Sequence, residues 1–240
     1  MRAAEALERF RQAPMANLET IVRGPFTVLA PHPDDESLGC GGLIAQAAAA
    51  GIPAHVVVLT DGTGSHPNSR CFPASVLAAL RADEVRAAVG ALGLSAGRLR
   101  FLHARDTQAP HAGPVFEALS ETLAALLRAT GSRTLLSTWR HDPHGDHVAA
   151  HLIGARATRR VGARLVSYPV WGWTLPDDAE VDAPRAVRLD VSGQIAAKRR
   201  AIAAHRSQTT DFIADDPAGF RLSDAFVALH TGRWEVFLDA

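Results

Sequence analysis

Two short stretches of the sequence carry histidine and aspartate at spacings that suit a metal ion. His32 and Asp35 lie three residues apart in Pro-His-Pro-Asp-Asp-Glu, just after an apolar run, so one turn of backbone can direct both at one point. The later stretch Trp-Arg-His-Asp-Pro-His-Gly-Asp-His offers three candidates for a third ligand: His141, His144 and His147. Two histidines and one carboxylate leave coordination positions open, as in catalytic zinc sites. The same set also serves iron(II) enzymes, so ligand type leaves the metal open.

Asp34, between the first two candidate ligands, is predicted to face a different direction, toward a metal-bound water. The glycines at 39, 41 and 42 are expected to let the backbone approach this site closely. The structural alternative for the acidic residues 34–36 is a solvated helix N-terminus, where the helix dipole favours negative charge.

Alternating strands and helices are predicted to gather these residues at one edge of a sheet. The predicted strands are 26–30, 54–60, 98–104, 133–138 and a segment from 164, and the predicted helices are 41–51, 75–93, 114–130 and 147–161. The α/β alternation predicts a Rossmann-like, mostly parallel twisted sheet with helices on both faces. Ligands bind beyond the carboxyl ends of such strands, so loops 31–42, 61–73 and 139–147 should converge there.

The ends of the chain are less regular. Residues 1–23 are predicted to form an amphipathic helix rather than a signal peptide. The tail predicts a helix at 193–205 and strand-like pieces near 226–230 and 233–238. A length of 240 residues suits one domain, 1–240, with a core at 25–210 and a C-terminal extension at 211–240.

The composition does not point to a nucleic acid or a membrane. Lys+Arg and Asp+Glu are both 25, so the formal charge is zero and no basic field indicates such a partner. Two cysteines do not make a disulfide framework and suit a reducing compartment. We therefore expect a cytoplasmic protein with no membrane span and no nucleic-acid partner, and homo-oligomerisation stays open.

Several segments together resemble the PIG-L/LmbE-like family of metal-dependent N-deacetylases. Pro-His-Pro-Asp-Asp-Glu after the first strand and His-Gly-Asp-His after a later one are similar to its two metal motifs. Leu-Thr-Asp-Gly-Thr-Gly-Ser, the helix containing Arg81 and Glu84, and the segment from Lys198 to Gln208 resemble further family segments. The resemblance covers roughly residues 25–210.

The resemblance implies a role for each matching residue. Three residues match the family's zinc ligands: His32, Asp35 and His147. Asp34 matches the general base, and His144 matches the histidine that polarises the amide carbonyl. Asp146 would orient a neighbouring histidine. The implied reaction is amide hydrolysis in which Asp34 takes the proton of the attacking water and protonated His144 stabilises the oxyanion. Zinc is the expected cofactor, with iron(II) or another divalent metal as the alternative.

Substrate contacts are predicted less directly. Arg81 matches an arginine that approaches substrate in relatives. The alternative is that it does no more than pair with Glu84 or with a loop carboxylate. Thr63 stands where the family commonly has a glutamate, and Arg70 or Arg81 could meet an anionic aglycone. Trp139, like two later tryptophans, could stack on a sugar, and loop 61–75 is predicted to be a mobile wall that selects substrate.

The predicted function is therefore the removal of an acetyl group from a small molecule or glycoconjugate that contains an N-acetylglucosamine-type amino sugar. Two alternatives stay open. One is a related metal-dependent amidase that acts on a non-sugar amide or an S-conjugate. The other is a non-catalytic sugar-binding homologue.

Overall fold

A computed structural model describes residues 1–239 and contains a seven-stranded sheet. Its strands are β1 (Phe26–Ala30), β2 (Ala54–Thr60), β3 (Leu99–Ala104), β4 (Thr134–Thr138), β5 (Arg164–Tyr168), β6 (Ala186–Asp190) and β7 (Trp234–Asp239). The strand order is β3-β2-β1-β4-β5-β7-β6, and the first five strands in this order are parallel to one another. Only β7 runs antiparallel, to both β5 and β6. The predicted mostly parallel α/β fold is confirmed.

Nine α-helices cover the sheet within the described residues. They are α1 (Ala3–Arg11), α2 (Leu18–Val22), α3 (Asp35–Ala49), α4 (Ala74–Ala91), α5 (Gly113–Thr130), α6 (Gly145–Val161), α7 (Ile195–Ala204), α8 (Arg206–Thr209) and α9 (Asp224–His230). None of these helices has both the length and the apolar content needed to cross a bilayer.

Two predictions for the chain ends are wrong. Residues 1–23 form two helices instead of one, because Pro14 lies between them and cannot donate a helical hydrogen bond. Residues 226–230 lie in α9 instead of a strand. Ser223 caps this helix by accepting a hydrogen bond from the Phe226 N–H at 3.2 Å, a local signal that outweighs the apolar residues that follow.

The central strands are apolar on both faces because helices cover both. Val28 of β1 and Val56 of β2 pack in one cluster with α3, α4 and α7. Their neighbours Leu29 and Val57 point to the opposite face and pack in a second cluster with α5 and α6. Continuous apolar runs of this kind are typical of buried parallel strands.

The glycines of α3 allow close helix packing and do not line the site. A side chain at Gly39 would overlap the ring of Tyr168, and one at Gly42 would overlap Val191. The expectation that these glycines bring backbone to the metal site is therefore wrong. Their small size lets α3 lie tightly against the sheet and the chain before α7, which sets the direction in which the helix presents its N-terminus.

A buried ion pair ties α3 to β7 and α7. The Glu235 carboxylate accepts hydrogen bonds from the Gly42 N–H at 2.6 Å and the Leu43 N–H at 2.8 Å. It also accepts one from the Lys198 ammonium group at 2.6 Å, and both charged side chains are 2% exposed. The C-terminal strand therefore holds the helix that begins at the first metal motif.

Replacing Glu235 by glutamine is expected to lower the free energy of unfolding by about 3–5 kcal/mol, because it leaves the Lys198 charge buried without a partner. The measurement is urea denaturation followed by circular dichroism. Asp83→Asn is the matched control, since Asp83 pairs with Arg86 in solvent and such pairs contribute only about 0–1 kcal/mol. Equal effects of the two substitutions would contradict the structural role given to Glu235.

Candidate active site

The loops after β1 to β4 converge on a cavity of about 190 Å³ at the carboxyl edge of the sheet. Its polar side carries His32, Asp34, Asp35, Asp106 and His144. Its apolar side carries Leu38, Trp171, Phe220 and Leu222. The cavity is small beside typical ligand pockets of about 300–1,000 Å³, so its lining suits one small group of a ligand rather than a whole large molecule.

Three donor atoms meet at one point beside this cavity. The distance from His32 Nδ1 to Asp35 Oδ2 is 3.2 Å, and His147 Nε2 lies 3.3 Å from each of these atoms. Metal–ligand bonds of 2.0–2.1 Å at tetrahedral angles place donors about 3.3–3.4 Å apart. The spacing of the three donors therefore fits a tetrahedral divalent metal ion with one position left for another ligand.

Carboxylates behind the two histidines direct the ring lone pairs at this point. The Nδ1–H of His147 donates to Asp142 Oδ2 at 2.9 Å, which leaves Nε2 free to coordinate. The Nε2–H of His32 faces Asp146 Oδ2 at 3.1 Å and Asp106 Oδ1 at 3.2 Å, which leaves Nδ1 free. Such second partners fix the tautomer of a metal-binding histidine and increase its basicity.

Backbone hydrogen bonds hold the orienting carboxylates in turn. Asp142 accepts hydrogen bonds from the N–H groups of residues 170, 171 and 172 at 2.7–3.0 Å. Asp146 accepts two, from the Thr107 N–H at 2.7 Å and the Ala109 N–H at 3.0 Å. Asp106 accepts one from the Gly64 N–H at 2.8 Å. The loops after β2, β3 and β5 thus fasten the side chains that orient the donors.

The electrostatics of the donor set draw a positive charge to its centre. Burial lowers the pKa of His147, but the Asp35 charge and the hydrogen bonds to Asp142 and Asp35 raise it to about 9. Burial raises the pKa of Asp35, yet the attraction of His147 holds it well below its ordinary value. A divalent cation would satisfy the same three groups, so the residues present fit a metal ion.

Asp34 lies next to this donor set but points elsewhere. Its Oδ2 accepts a hydrogen bond from the Arg81 Nη2–H at 3.0 Å, and the side chain lines the cavity. Burial raises the pKa of Asp34 to about 6, against the opposing effect of the Arg81 charge. Arg81 is held by two carbonyl oxygens as well, those of Pro33 at 2.8 Å and Gly62 at 2.9 Å. Asp34 is therefore a fixed carboxylate that faces the cavity.

His144 lines the cavity as a neutral ring. It precedes α6, and its Nδ1 accepts a hydrogen bond from the Asp146 N–H at 3.2 Å. A nitrogen that accepts this bond carries no proton, so the proton lies on Nε2. From the sequence we expected a protonated His144, whereas this hydrogen bond favours a neutral ring with its proton on Nε2.

Two further histidines, His141 and His151, are engaged elsewhere; His151 was a possible ligand from the sequence because it lies one helical turn after His147. His141 Nε2 accepts a hydrogen bond from the Asp182 N–H at 3.1 Å, and burial lowers the pKa of this ring. The Nδ1 of His151 lies 3.2 Å from the carbonyl oxygen of Thr138. Of the candidates for the third ligand, His147 has its Nε2 atom 3.3 Å from both His32 Nδ1 and Asp35 Oδ2. His144 lies next to this set, with a ligand atom within 4.8 Å of ligand atoms of His32 and His147.

Three predicted substrate contacts lie outside the cavity lining, so these predictions are corrected. Trp139 is 2% exposed and packs edge-on against Phe10 at 5.4 Å, because α1 covers this part of the sheet. Thr63 turns back to hydrogen-bond Asp61 through its own hydroxyl. Arg70 is exposed and is held through its backbone N–H. Of the predicted contacts, Arg81 and Trp171, which is one of the two later tryptophans, do line the cavity. The two terminal nitrogens of Arg81 are already bonded.

From the sequence alone, no role was assigned to several residues that line the cavity or orient the donor set. Asp142 carried a signal, since it lies within the second histidine motif, but its role was not assigned. Phe220 and Leu222 carried none, because they belong to the tail. Gln208 is fully buried and lines the cavity, and its Oε1 receives no hydrogen bond within residues 1–239.

Comparison with known proteins identifies the class to which this fold and site belong. Residues 27–158 match the profile of the PIG-L family, described as GlcNAc-PI de-N-acetylase. The chain belongs to the PIG-L family, whose members are hydrolases of N-acetyl amide bonds.

Two relatives and one solved structure illustrate the likeness. A 1D-myo-inositol 2-acetamido-2-deoxy-alpha-D-glucopyranoside deacetylase from Rhodococcus jostii is 28% identical, across 75% of this chain and 80% of the relative. A 2'-N-acetylparomamine deacetylase from Streptomyces fradiae is 30% identical, across 80% of this chain and 76% of the relative. The N,N'-diacetylchitobiose deacetylase of Pyrococcus horikoshii shares the fold, with a TM-score of 0.66 and 19% identity. The match covers 92% of this chain and 87% of the deacetylase chain.

Proposed function

We propose that this protein is a metal-dependent hydrolase that removes the acetyl group from an N-acetylglucosamine-type amino sugar in a small molecule or glycoconjugate. The observation that carries the proposal is the set of three donors, spaced for one metal ion, beside a separate carboxylate, Asp34, that faces the same cavity. Metal-dependent amide hydrolysis uses both a site for an electrophilic metal and a free base, and here adjacent residues could supply them.

His32, Asp35 and His147 would hold the metal ion. A ligand set of two nitrogens and one oxygen suits zinc, and iron(II) is the alternative. When bound, such an ion polarises a carbonyl oxygen and lowers the pKa of water to about 7.

Asp34 is the proposed proton carrier. It accepts a proton from the attacking water and passes it to the departing amine nitrogen as the amide bond breaks. Its hydrogen bond from Arg81 fixes the carboxylate in one orientation, which removes the need to order it during the reaction. Asp35 cannot take this role because its Oδ2 faces both histidines at the donor point.

His144 is the proposed donor to the acetyl carbonyl oxygen. With its Nδ1 occupied by a backbone N–H, its Nε2–H is the group available to a ligand in the cavity. The negative charge on that oxygen grows as water adds to the carbonyl carbon, so this hydrogen bond strengthens in the transition state. A positioned donor of this kind contributes about 2.7–4 kcal/mol.

The cavity suits an uncharged or cationic sugar derivative. Arg81 is its only arginine or lysine among the described lining residues, and that side chain already bonds Asp34 and two carbonyl oxygens. An anionic aglycone would find no free cation there, contrary to the suggestion made from Arg70 and Arg81. We infer that Gln208, a lining residue whose Oε1 atom has no hydrogen-bond partner within residues 1–239, accepts a hydrogen bond from a sugar hydroxyl when a ligand binds. The sugars named for the two sequence relatives are amino sugars in glycosidic linkage.

The test is acetate release by the metal-loaded protein from a panel of acetylated amino sugars. The panel contains N-acetylglucosamine, its α-glycoside with myo-inositol, N,N'-diacetylchitobiose and 2'-N-acetylparomamine, with N-acetyl amino acids and S-conjugates of N-acetylcysteine as comparators. We expect release from at least one glycoside and much less from the comparators. Hydrolysis of the comparators alone would favour the amidase alternative, and sugar binding without hydrolysis would favour the binding homologue.

A further inference from the structure

The apolar side of the cavity is built by a segment that carries no recognisable motif. Residues 211–222 contain no regular strand and follow α8 into the loop that precedes α9. Phe220 and Leu222 of this segment line the cavity together with Trp171. Phe220 is 41% exposed, although it is a large apolar side chain at the edge of a polar site. An exposed aromatic ring in such a position gains free energy when a ligand covers it.

Trp171 and Phe220 form an aromatic corner. Their ring centroids are 5.7 Å apart and their planes meet at 63°. On its other side Trp171 stacks on Phe226 at 4.0 Å, which holds the tryptophan in place from α9. Within residues 1–239 the ring of Phe220 has no aromatic contact other than Trp171. Its position therefore depends on how residues 211–222 are fastened.

Two carboxylates of residues 211–222 fasten this segment to loop 61–73. Asp215 accepts hydrogen bonds from the Ser69 hydroxyl at 2.7 Å and from the N–H groups of Arg70 at 2.7 Å and Cys71 at 2.9 Å. Asp216, which is buried, accepts one from the Asn68 N–H at 2.9 Å. The two segments are thus joined by backbone groups that have no partner in a helix or strand.

The fastening reaches Phe220 itself. The Phe220 N–H donates to the carbonyl oxygen of Ser65 at 2.6 Å, and Ser65 also lines the cavity. Gly219 lies so close to the ring of His66 that any side chain there would overlap it. Loop 61–73 and residues 211–222 therefore form one paired wall, which we call the clasp.

We propose that Phe220 is a specificity-determining residue whose ring packs against the apolar C–H face of the substrate's sugar ring, and that Asp215 is a positioning residue that acts on substrate through Phe220 by closing the clasp. The inference rests on the proposed function for its substrate class. The sequence predicts that loop 61–75 selects the substrate. With this inference, residues 211–222 are added to the surface that selects it.

The first experiment compares Phe220→Ala with Phe220→Tyr on the panel substrate that the parent protein hydrolyses best. We expect Phe220→Ala to raise KM about tenfold, with kcat changed less than about threefold, because the ring contributes binding and touches no reacting atom. Phe220→Tyr keeps the ring and should restore KM to near the parent value. An unchanged KM in Phe220→Ala would overturn the proposal.

The second experiment tests the clasp. Asp215→Ala should raise KM in the same direction as Phe220→Ala, and the double variant should be no worse than Phe220→Ala alone, because both act through one ring. Asp211→Ala is the matched control, since this aspartate of the same segment pairs only with Arg221 in solvent. Hydrogen exchange at residues 68–72 should be faster in Asp215→Ala than in Asp211→Ala. Additive KM effects, or equal exchange in these two variants, would overturn the role of Asp215.

Calorimetric titration of N-acetylglucosamine into the metal-loaded protein separates this inference from the proposed function. If the parent binds the sugar without releasing acetate and Phe220→Ala weakens that binding, the role proposed for Phe220 is supported and the hydrolytic function is contradicted. If Phe220→Ala binds the sugar as tightly as the parent, the role proposed for Phe220 is contradicted, whether or not acetate is released. A parent that neither binds nor hydrolyses any acetylated amino sugar would overturn both. Elemental analysis should find equal metal content in all variants, since none of the changed residues contacts the donors.

Discussion

Replacing Asp34 by asparagine is expected to lower kcat for acetate release by about 10²–10⁴-fold while the metal content stays near that of the parent. Losses of this size are typical for a positioned acid–base group. Asparagine keeps the shape of the side chain and its contact with Arg81, but it cannot accept the proton of the attacking water. The measurement is kcat on the best panel substrate, with metal content by elemental analysis on the same preparations.

Asp35→Asn is the matched control, because it makes the same chemical change one residue away. Asp35 Oδ2 faces His32 and His147 at 3.2 and 3.3 Å, so this variant should lose metal first and recover part of its activity in excess zinc. Full activity in Asp34→Asn would show that this residue is not the base. Loss of metal from Asp34→Asn with retention in Asp35→Asn would reverse the two roles.

Replacing His147 by alanine is expected to remove most of the bound metal and to abolish detectable acetate release, while the protein stays folded. One of three donors is lost, and the remaining two do not make a closed set for a divalent ion. The measurements are metal content by elemental analysis and the circular dichroism spectrum. His147 is fully buried, so a parallel variant, His147→Gln, retains more of the side-chain volume should the alanine variant unfold.

Two further variants test whether the loss of metal is specific to His147. His141→Ala should keep its metal, because His141 bonds the Asp182 N–H outside the donor set. Asp142→Asn should weaken metal binding about 10–100-fold, because Asp142 holds the His147 ring by its Nδ1–H at 2.9 Å. Normal metal content in His147→Ala would contradict the ligand assignment, and metal loss in His141→Ala would point to the other histidine.

The local pattern of apolar and β-branched residues was sufficient to predict much of the fold. The predicted strands 26–30 and 54–60 coincide with β1 and β2, because continuous runs of β-branched and apolar residues favour buried parallel strands. The spacing of His32 and Asp35 likewise predicted that both side chains point to one place, and their donor atoms lie 3.2 Å apart. These outcomes depend on backbone geometry over a few residues, which the sequence encodes directly.

Side chains that meet from distant segments required the tertiary structure. The sequence offered three tryptophans that could stack on a sugar. The tertiary structure buries Trp139 against Phe10 of α1 and places Trp171 in the cavity lining, packed on Phe226 of α9. Phe220 reaches the cavity because Asp215 accepts hydrogen bonds from a loop about 145 residues earlier in the chain. A sequence pattern carries the preferences of neighbouring residues. Which loops come to lie side by side depends instead on how all the helices pack on the sheet, and on which carboxylates then satisfy the exposed backbone N–H groups.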